Sequence, residues 1–405
     1  MVEILLSALP MLVCAFWSVL LLLDVLESRK PQKFMLFVFM VAATALYGGH
    51  FVFFNHLMSV MPLTDTVYCL CNLAVYPLFY LYVDMLTENP AGRRNTLLVL
   101  LPSLVAGLSV GILYALMSGS EIMHFIHDYL YHNIFDTNSS LSYAQSVVHH
   151  TAKVVFAFQI PPILVLGLRK IARYDALVVA NYADLENKTL RMLKMVLVLF
   201  VALSLFSFII NLLGRYRFDG SLLKLAVPSL SFSVLLFMLG YVGYRQNFTI
   251  GNIVKDLEDG EVHGGNSVDS VAAGLSYQPE DDAATPQARD IGQLQQEIVE
   301  TVRRQQLYLR HDLKVQDLAI LLGTNRNYIY QAVAGRMGIS FAEFINRQRI
   351  EHAVRLIKAN PAIAMNDLSL ASGYISTGSF YRNFKLYQGC TPKAFAEQIM
   401  QESEK

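Results

Sequence analysis

Cysteine is scarce in this chain of 405 residues, and its scarcity removes whole classes of protein. Cys14, Cys69, Cys71 and Cys390 are the four present, and no spacing among them resembles a disulfide framework or a zinc site. Catalytic signatures are missing as well. There is no H-E-x-x-H, no G-x-S-x-G, no P-loop and no kinase core, so the sequence predicts no enzyme and no cofactor or bound metal. The N-terminus lacks the basic start and the small-residue cleavage site of a secretory signal; Glu3 is acidic and the apolar run continues to about Leu26. It reads as a retained membrane helix.

Charge is sparse along long stretches. Seven of these, about 4–26, 34–56, 65–86, 97–117, 147–168, 192–213 and 222–244, have the roughly 20 apolar residues that a helix needs to cross a bilayer. In lipid every backbone polar group must be paired within the segment, so helices are the expected form. Lys and Arg are missing from the second connection, 57–64, and from the fourth, 118–146. They are plentiful in the first (Arg29, Lys30, Lys33), the third (Arg93, Arg94) and the fifth (Arg169, Lys170, Arg173, Lys188, Arg191, Lys194), and Arg245 follows the last span. Only the sixth connection dissents, with Arg215 and Arg217. Basic connections stay in the cytoplasm, which predicts a multi-pass inner-membrane protein with its N-terminus outside and its C-terminus inside.

Polar residues within the spans include His50, Tyr68, Asn72, Tyr76, Tyr80, Tyr82 and Gln159. Hydrogen bonding between helices and anchoring at the interface account for them most economically; a ligand cavity is the alternative. The carboxylates Asp24, Asp65 and Asp84 fall near span ends, where water is in reach. Gly107 and Gly111 make one small-xxx-small pair, a packing seam through which a homodimer could form. The outer connection carries His124, His127, Asp128 and His132, which read as exposed histidines in preference to a metal or proton sensor.

Residues 246–293 are rich in Gly, Asp and Glu and hold Pro279 and Pro286. They read as an acidic flexible linker with an r.m.s. span of roughly 35–40 Å, opening with a short helix at about 249–258. Beyond it the balance of charge reverses. Residues 301–397 hold thirteen Lys and Arg against six Asp and Glu, a sign that suits an anionic partner.

One pattern occurs twice in that region. Asp317-Leu318-x4-Gly323 recurs as Asp367-Leu368-x4-Gly373. In each copy the glycine suits a left-handed turn, a polar residue (Asn325, Ser376) suits an N-cap, and a helix follows. These are two helix-turn-helix units, about 315–338 and 365–388. The first recognition helix, Arg326 to about Ala334, buries Ile329 and Val333 and turns Arg326, Asn327, Tyr330 and Gln331 outward. The second buries Phe380, Phe384 and Tyr387 and presents Thr377, Ser379, Arg382 and Lys385. Arg, Asn and Gln are residue types that read base edges by paired hydrogen bonds; Lys385 suits phosphate. A single helix, Phe341 to Ala359, joins the two units. At roughly 28 Å long it suits two readers about one DNA turn, near 34 Å, apart.

Leu318-Ala319, Gly323, Asn325, Ile329, Gly338, Phe341, Ile345, Arg349-Ile350, Ala353, Leu356, Gly373-Tyr374, Phe380, Arg382, Phe384, Gly389 and Thr391-Pro392 together resemble the AraC/XylS-type DNA-binding domain over residues 294–400. Ser369 and Val333 depart from the usual Ala and Phe of that pattern, and Gly335 weakens the end of the first recognition helix. The resemblance implies one domain whose two units enter adjacent major grooves of double-stranded DNA, with output through RNA polymerase. It implies that Arg326, Asn327, Tyr330 and Gln331, with Thr377, Ser379 and Arg382, fall at recognition-helix positions. A seven-span domain at 1–245 in place of a soluble ligand domain resembles a rarer bacterial arrangement. The expected architecture is therefore all-α: a seven-helix transmembrane bundle in the lipid bilayer, the linker 246–293, and the double helix-turn-helix domain 294–400. The expected function is a membrane-bound one-component regulator of transcription answering an unidentified signal. The alternative is a transporter or channel with a DNA-binding tail.

Overall fold

The computed structural model describes residues 1–88, 96–135, 139–213, 222–261 and 290–403. Arg93, Arg94, Arg215, Arg217 and the linker stretch 262–289 lie outside the described residues. Among those described, all regular elements are helices, with one isolated antiparallel bridge between Tyr182 and Lys314. The chain divides into two compact units: Met1–Ala172 with Leu190–Thr249, and Arg173–Thr189 with Ile250–Lys405.

The first unit holds α1 (Val2–Ser28), α2 (Pro31–Phe54), α3 (Met61–Thr87), α4 (Leu101–Leu116), the short α5 (Gly119–His124), most of α6 (Ser140–Asn181), α7 (Arg191–Leu213) and α8 (Leu222–Arg245). Six described helical stretches are long and apolar enough to cross a membrane by length and composition: Val2–Ser28, Pro31–Phe54, Met58–Thr87, Leu98–Leu116, Ser140–Asn181 and Leu225–Leu257. The expected span 192–213 falls on α7, whose last side chains are outside the described set. Arg29 closes α1 in the left-handed conformation and Pro31 opens α2, a pairing of stop and start signals that makes the connection only two residues long.

Central position explains why α3 is the most polar span. Its most apolar window is 67% buried, against 17–33% for the others, so several of its polar groups lie inside the bundle. The carboxylates correct the sequence expectation here. Asp65 and Asp84 do not reach water; both are buried. Asp65 Oδ2 accepts from the Tyr114 hydroxyl at 2.9 Å and lies 2.8 Å from His149 Nε2. Asp84 pairs with Lys170 at 2.8 Å, which also reaches Glu88 at 2.8 Å. An unpaired carboxylate buried this way would cost several kcal/mol on the order set by charge desolvation, so pairing is the condition for its presence.

Glycines let these helices approach closely. A Cβ at Gly240 would lie 2.4 Å from the Trp17 ring, and one at Gly243 would lie 2.3 Å from Leu36. The Gly107/Gly111 seam receives Leu70 and Thr66 of α3, so it packs within the bundle and does not offer a free face for a second copy. Large apolar side chains cover the outside, with Leu23, Leu108, Ile112, Phe158 and Val234 all exposed.

The second unit comprises the end of α6 with the turn to Thr189, then α9 (Ile250–Glu261), α10 (Ile291–Arg304), α11 (Val315–Leu321), α12 (Arg326–Tyr330), α13 (Phe341–Ala359), α14 (Met365–Ala371), α15 (Thr377–Gln388) and α16 (Pro392–Ser403). Two apolar cores sit along α13. Phe341, Phe344 and Ile345 join Leu318, Ala319, Ile329 and Val333 in the first, and Ile350, Ala353 and Ile357 join Leu368, Phe380 and Phe384 in the second. α10 adds Leu294, Ile298 and Val302 to the first core. Ile291 and Val299 pack beside them, and most of its other positions are polar, the pattern of a helix buried along one stripe.

Candidate nucleic-acid interface

Each reading head is built by the same local chemistry. In the first, Gly323 takes φ +59° after α11, and the Asn325 side chain accepts from the Asn327 N–H at 2.9 Å to start α12. In the second, Gly373 takes φ +80°, and Ser376 Oγ accepts from the Ser379 N–H at 3.2 Å to start α15. The long helix between them begins at Ser340, which accepts from the Glu343 N–H at 3.1 Å. Each cap satisfies one of the free N–H groups of a first turn, typically worth about 1 kcal/mol.

The heads differ in how their helices continue. α15 runs twelve residues and stops at Gly389 in the left-handed conformation. α12 is shorter than the sequence predicts: regular α geometry covers Arg326–Tyr330 and a π-helical turn takes over from Gln331 to Arg336. The buried positions keep the expected register, with Ile329 and Val333 both in the core.

Arg349 on α13 holds the heads to their support. It is 1% exposed. Its Nε donates to the Tyr308 carbonyl at 2.7 Å and its Nη2 to the Arg310 carbonyl at 2.8 Å, while the guanidinium lies 5.2 Å from the centre of the Tyr374 ring. Tyr374 directly follows the turn glycine of the second unit, so one side chain ties the segment before the first unit to the turn of the second. Burial pulls its pKa below the usual arginine range, opposed by Tyr374 and Asp184. Planar, multi-donor geometry suits Arg for this position, and Lys could not replace it. The sequence names Arg349 as part of a pattern but assigns it no task; its two carbonyl partners lie about forty residues away along the chain.

The residues proposed to read DNA fall on the described surface as follows. Asn327, Gln331, Thr377, Arg382 and Lys385 are exposed, and Arg326 is half-buried. Tyr330 is half-buried, and its hydroxyl donates to the Asn181 side-chain oxygen. Burial pushes the Tyr330 phenol up to about 12, which keeps the hydroxyl a donor. Ser379 does not face open solvent. It is 8% exposed, accepts from Arg382 Nη2 at 3.0 Å and donates to Glu186 Oε2 at 2.9 Å. Ser376 Oγ donates to the same carboxylate oxygen.

Asn181 and Glu186 were not foreseen as parts of this site. They belong to residues 173–189, which the second unit incorporates. Ala183 is 1% exposed within the first core, and its N–H donates to the Leu313 carbonyl at 3.0 Å. Asn346 Nδ2 donates to the Ala183 carbonyl at 3.3 Å. Tyr182 donates to Asp256 of α9 at 2.6 Å, and Lys314 pairs with the same carboxylate at 2.8 Å. In sequence this stretch is a polar connection nearly two hundred residues from Ser376, and no local pattern announces the contact. Among the described residues no group of three or more His, Cys, Asp or Glu is placed to hold a metal ion.

Comparison with known proteins bears on this unit alone. Residues 305–398 match a protein family described as Helix-turn-helix domain. An uncharacterized HTH-type transcriptional regulator of Staphylococcus aureus (strain MRSA252) is 31% identical over 90 residues, which are 22% of this chain and 12% of that protein. The Msm operon regulatory protein of Streptococcus mutans serotype c is 29% identical over 87 residues, 22% of this chain and 31% of that protein. The chain thus spans about an eighth of the length of the first of these relatives and under a third of the second. No solved structure matches. The paired caps, the paired turns and this match together show that residues 305–398 form a helix-turn-helix domain, similar to that of proteins named as transcriptional regulators.

Proposed function

We propose that the chain is a membrane-tethered regulator of transcription that binds double-stranded DNA through both helix-turn-helix units and answers a signal received by its first unit. The observation that carries the reading is the pair of capped recognition helices, α12 and α15, mounted on the single helix α13. A 19-residue helix is roughly 28 Å long, comparable to one turn of duplex, so the two heads suit successive major grooves. Arg326, Asn327, Tyr330 and Gln331 on the first head, and Thr377, Ser379, Arg382 and Lys385 on the second, are the proposed contacts. The exposed apolar exterior of the first unit supports a lipid environment, because a surface of that kind is rare in water. RNA polymerase is the proposed partner for output.

A binding comparison tests the DNA contacts. The intact chain, reconstituted in lipid, is used to select a preferred duplex from a random pool, and Arg382→Ala is compared on that duplex and on a scrambled one. Loss of a base-reading Arg costs about 1–3 kcal/mol on the selected sequence and relaxes the preference at one position. Equal binding of both proteins to both duplexes would remove Arg382 from the interface.

A further inference from the structure

A cavity of about 190 Å³ lies inside the first unit. Its walls are mainly apolar, including Pro10, Phe156, Phe200, Phe232 and Leu236. Its polar groups include Tyr47, His50, Tyr68, Asn72 and Tyr76 of α2 and α3, with Ser7, Ser204 and Ser229 from other helices. Aromatic packing fixes their rings. Tyr76 stacks on Phe200 at 4.9 Å, and His50 meets Tyr47 at 5.7 Å and Tyr68 at 5.2 Å. Tyr76 is 3% exposed, and among the described residues the side chains of Tyr47, Asn72 and Tyr76 have no hydrogen-bond partner. Tyr47 and Asn72 are half-buried, and the three side chains have hydrogen-bonding capacity to offer a ligand in the cavity. The basic side chains on the wall are engaged by other groups. His149 is engaged by Asp65 at 2.8 Å, and Lys153 by Asn133 at 3.2 Å with the Tyr129 ring beneath it.

We propose that this cavity binds a neutral, largely apolar molecule bearing one hydroxyl or carbonyl, held by Tyr47, Asn72 and Tyr76. An apolar cavity of about 150 Å³ accepts benzene, so the volume here suits one substituted ring or an aliphatic body of similar bulk. The lining holds no Asp or Glu, and its Lys153 is engaged by Asn133 and the Tyr129 ring. The inference rests on the sensing part of the function proposed above and names the chemistry of the signal.

Three probes of nearly one shape test it on the intact chain in phosphatidylcholine nanodiscs: 4-ethylphenol, 4-ethyltoluene and 4-ethylbenzoate, with protein-free discs as background. Saturable binding is expected for the phenol, about fivefold weaker binding for the toluene, and none for the benzoate. Asn72→Leu with Tyr76→Phe is expected to erase the phenol's advantage over the toluene. No saturable phenol binding, benzoate binding as tight as phenol binding, or an advantage that survives the double variant would each overturn the site. Binding of the selected duplex is read in parallel. A chain that binds duplex but no probe loses the cavity proposal alone. Probe binding without any change in duplex binding upholds the site and separates it from regulation.

A second inference stands on the other unit. Glu186 Oε2 accepts hydrogen bonds from both Ser376 and Ser379, the N-cap and the third residue of α15. A carboxylate is favoured there by the free N–H groups and dipole of a helix start. A DNA phosphate would use the same features, and it cannot share them with an anion. Asn181, in the same stretch of chain, accepts from Tyr330 on the other reading head. We infer that residues 173–189 act as an internal competitor of DNA: the conformation described is closed, and duplex binds only when Glu186 leaves α15. This inference depends on α15 being a DNA-reading helix.

The test compares the intact chain with Glu186→Gln and Glu186→Ala on the selected duplex, with thermal unfolding as a check on folding. Where the closed form holds about nine-tenths of the molecules, its loss tightens apparent binding about tenfold. Glu186→Ala is expected to approach that gain. Glu186→Gln, which keeps an acceptor but loses the charge, is expected to gain less. Unchanged or weaker binding by a folded Glu186→Ala would overturn the competitor. If Arg382→Ala still weakens binding in that case, only the competitor fails. If no variant responds and the intact chain selects no duplex, the DNA-reading assignment fails with it.

Discussion

Two glycines at matching places in a repeated pattern need not do the same work. Gly323 and Gly373 both adopt positive φ, +59° and +80°, a conformation that costs a side-chain-bearing residue roughly 1–2 kcal/mol. Their surroundings differ. A Cβ at Gly323 would meet nothing within 4 Å, whereas one at Gly373 would lie 2.8 Å from both Leu309 Cα and the Tyr308 carbonyl oxygen. Those atoms are backbone and cannot swing aside. Gly323→Ala is therefore expected to cost about 1–2 kcal/mol. Gly373→Ala adds a steric clash that overpacking typically puts at a further 1–3 kcal/mol. Chemical denaturation of the two variants checks the ordering, and equal losses would show that the backbone at 308–309 yields. The repeat makes the left-handed turn legible from sequence. That Gly373 also serves as a landing site for residues 308–309 is not legible, because the two stretches are more than sixty positions apart.

At the scale of helices, legibility follows how local the determining signal is. The sequence predicts a helix from Phe341 to Ala359, and α13 has those bounds, since a serine cap and the following Asn-Pro are signals within a few residues of the ends. The start of α12 at Arg326 is likewise set by the adjacent Asn325. Its continuation is not, and the chain passes into a π-helical turn at Gln331 where a plain helix was expected. Gly335, in that turn, has open space around it and supplies no side chain to hold a tighter winding, while Ala332 and Val333 remain fully packed. The widened turn keeps those two in the core and lets the exposed residues give way. Buried polar residues were the hardest to read. Asp65 pairs with His149 across 84 positions and Asp84 with Lys170 across 86, so hydropathy places them at span ends but cannot say that they face inward. The sequence offers interhelical contacts or a ligand cavity for the polar residues of α3, and Tyr68, Asn72 and Tyr76 line one cavity.

On the scale of the whole molecule, the proposed function requires the helix-turn-helix domain to lie on the side of the bilayer that holds the chromosome. The basic residues argue for that side. Arg29, Lys30 and Lys33 fall between α1 and α2, and Arg169, Lys170, Arg173, Lys188, Arg191 and Lys194 fall at the end of α6 and the start of α7. The connection between α2 and α3, and the stretch from Ser118 to α6, have no Lys or Arg. Basic connections are retained in the cytoplasm during insertion, and these connections alternate as an antiparallel succession of spans demands, the sixth, with Arg215 and Arg217, excepted. Some of these cations also have fixed partners, as Lys33 has in Asp24 at 3.2 Å and Lys170 in Asp84. Reporter fusions measure the outcome directly. Alkaline phosphatase, active only outside the cytoplasm, is expected to be active when joined at Val60 or His132 and inactive when joined after Arg245; green fluorescent protein is expected to give the reverse. Phosphatase activity after Arg245 would place α12 and α15 away from DNA, and the regulatory function would fall even with every residue of the reading heads in place.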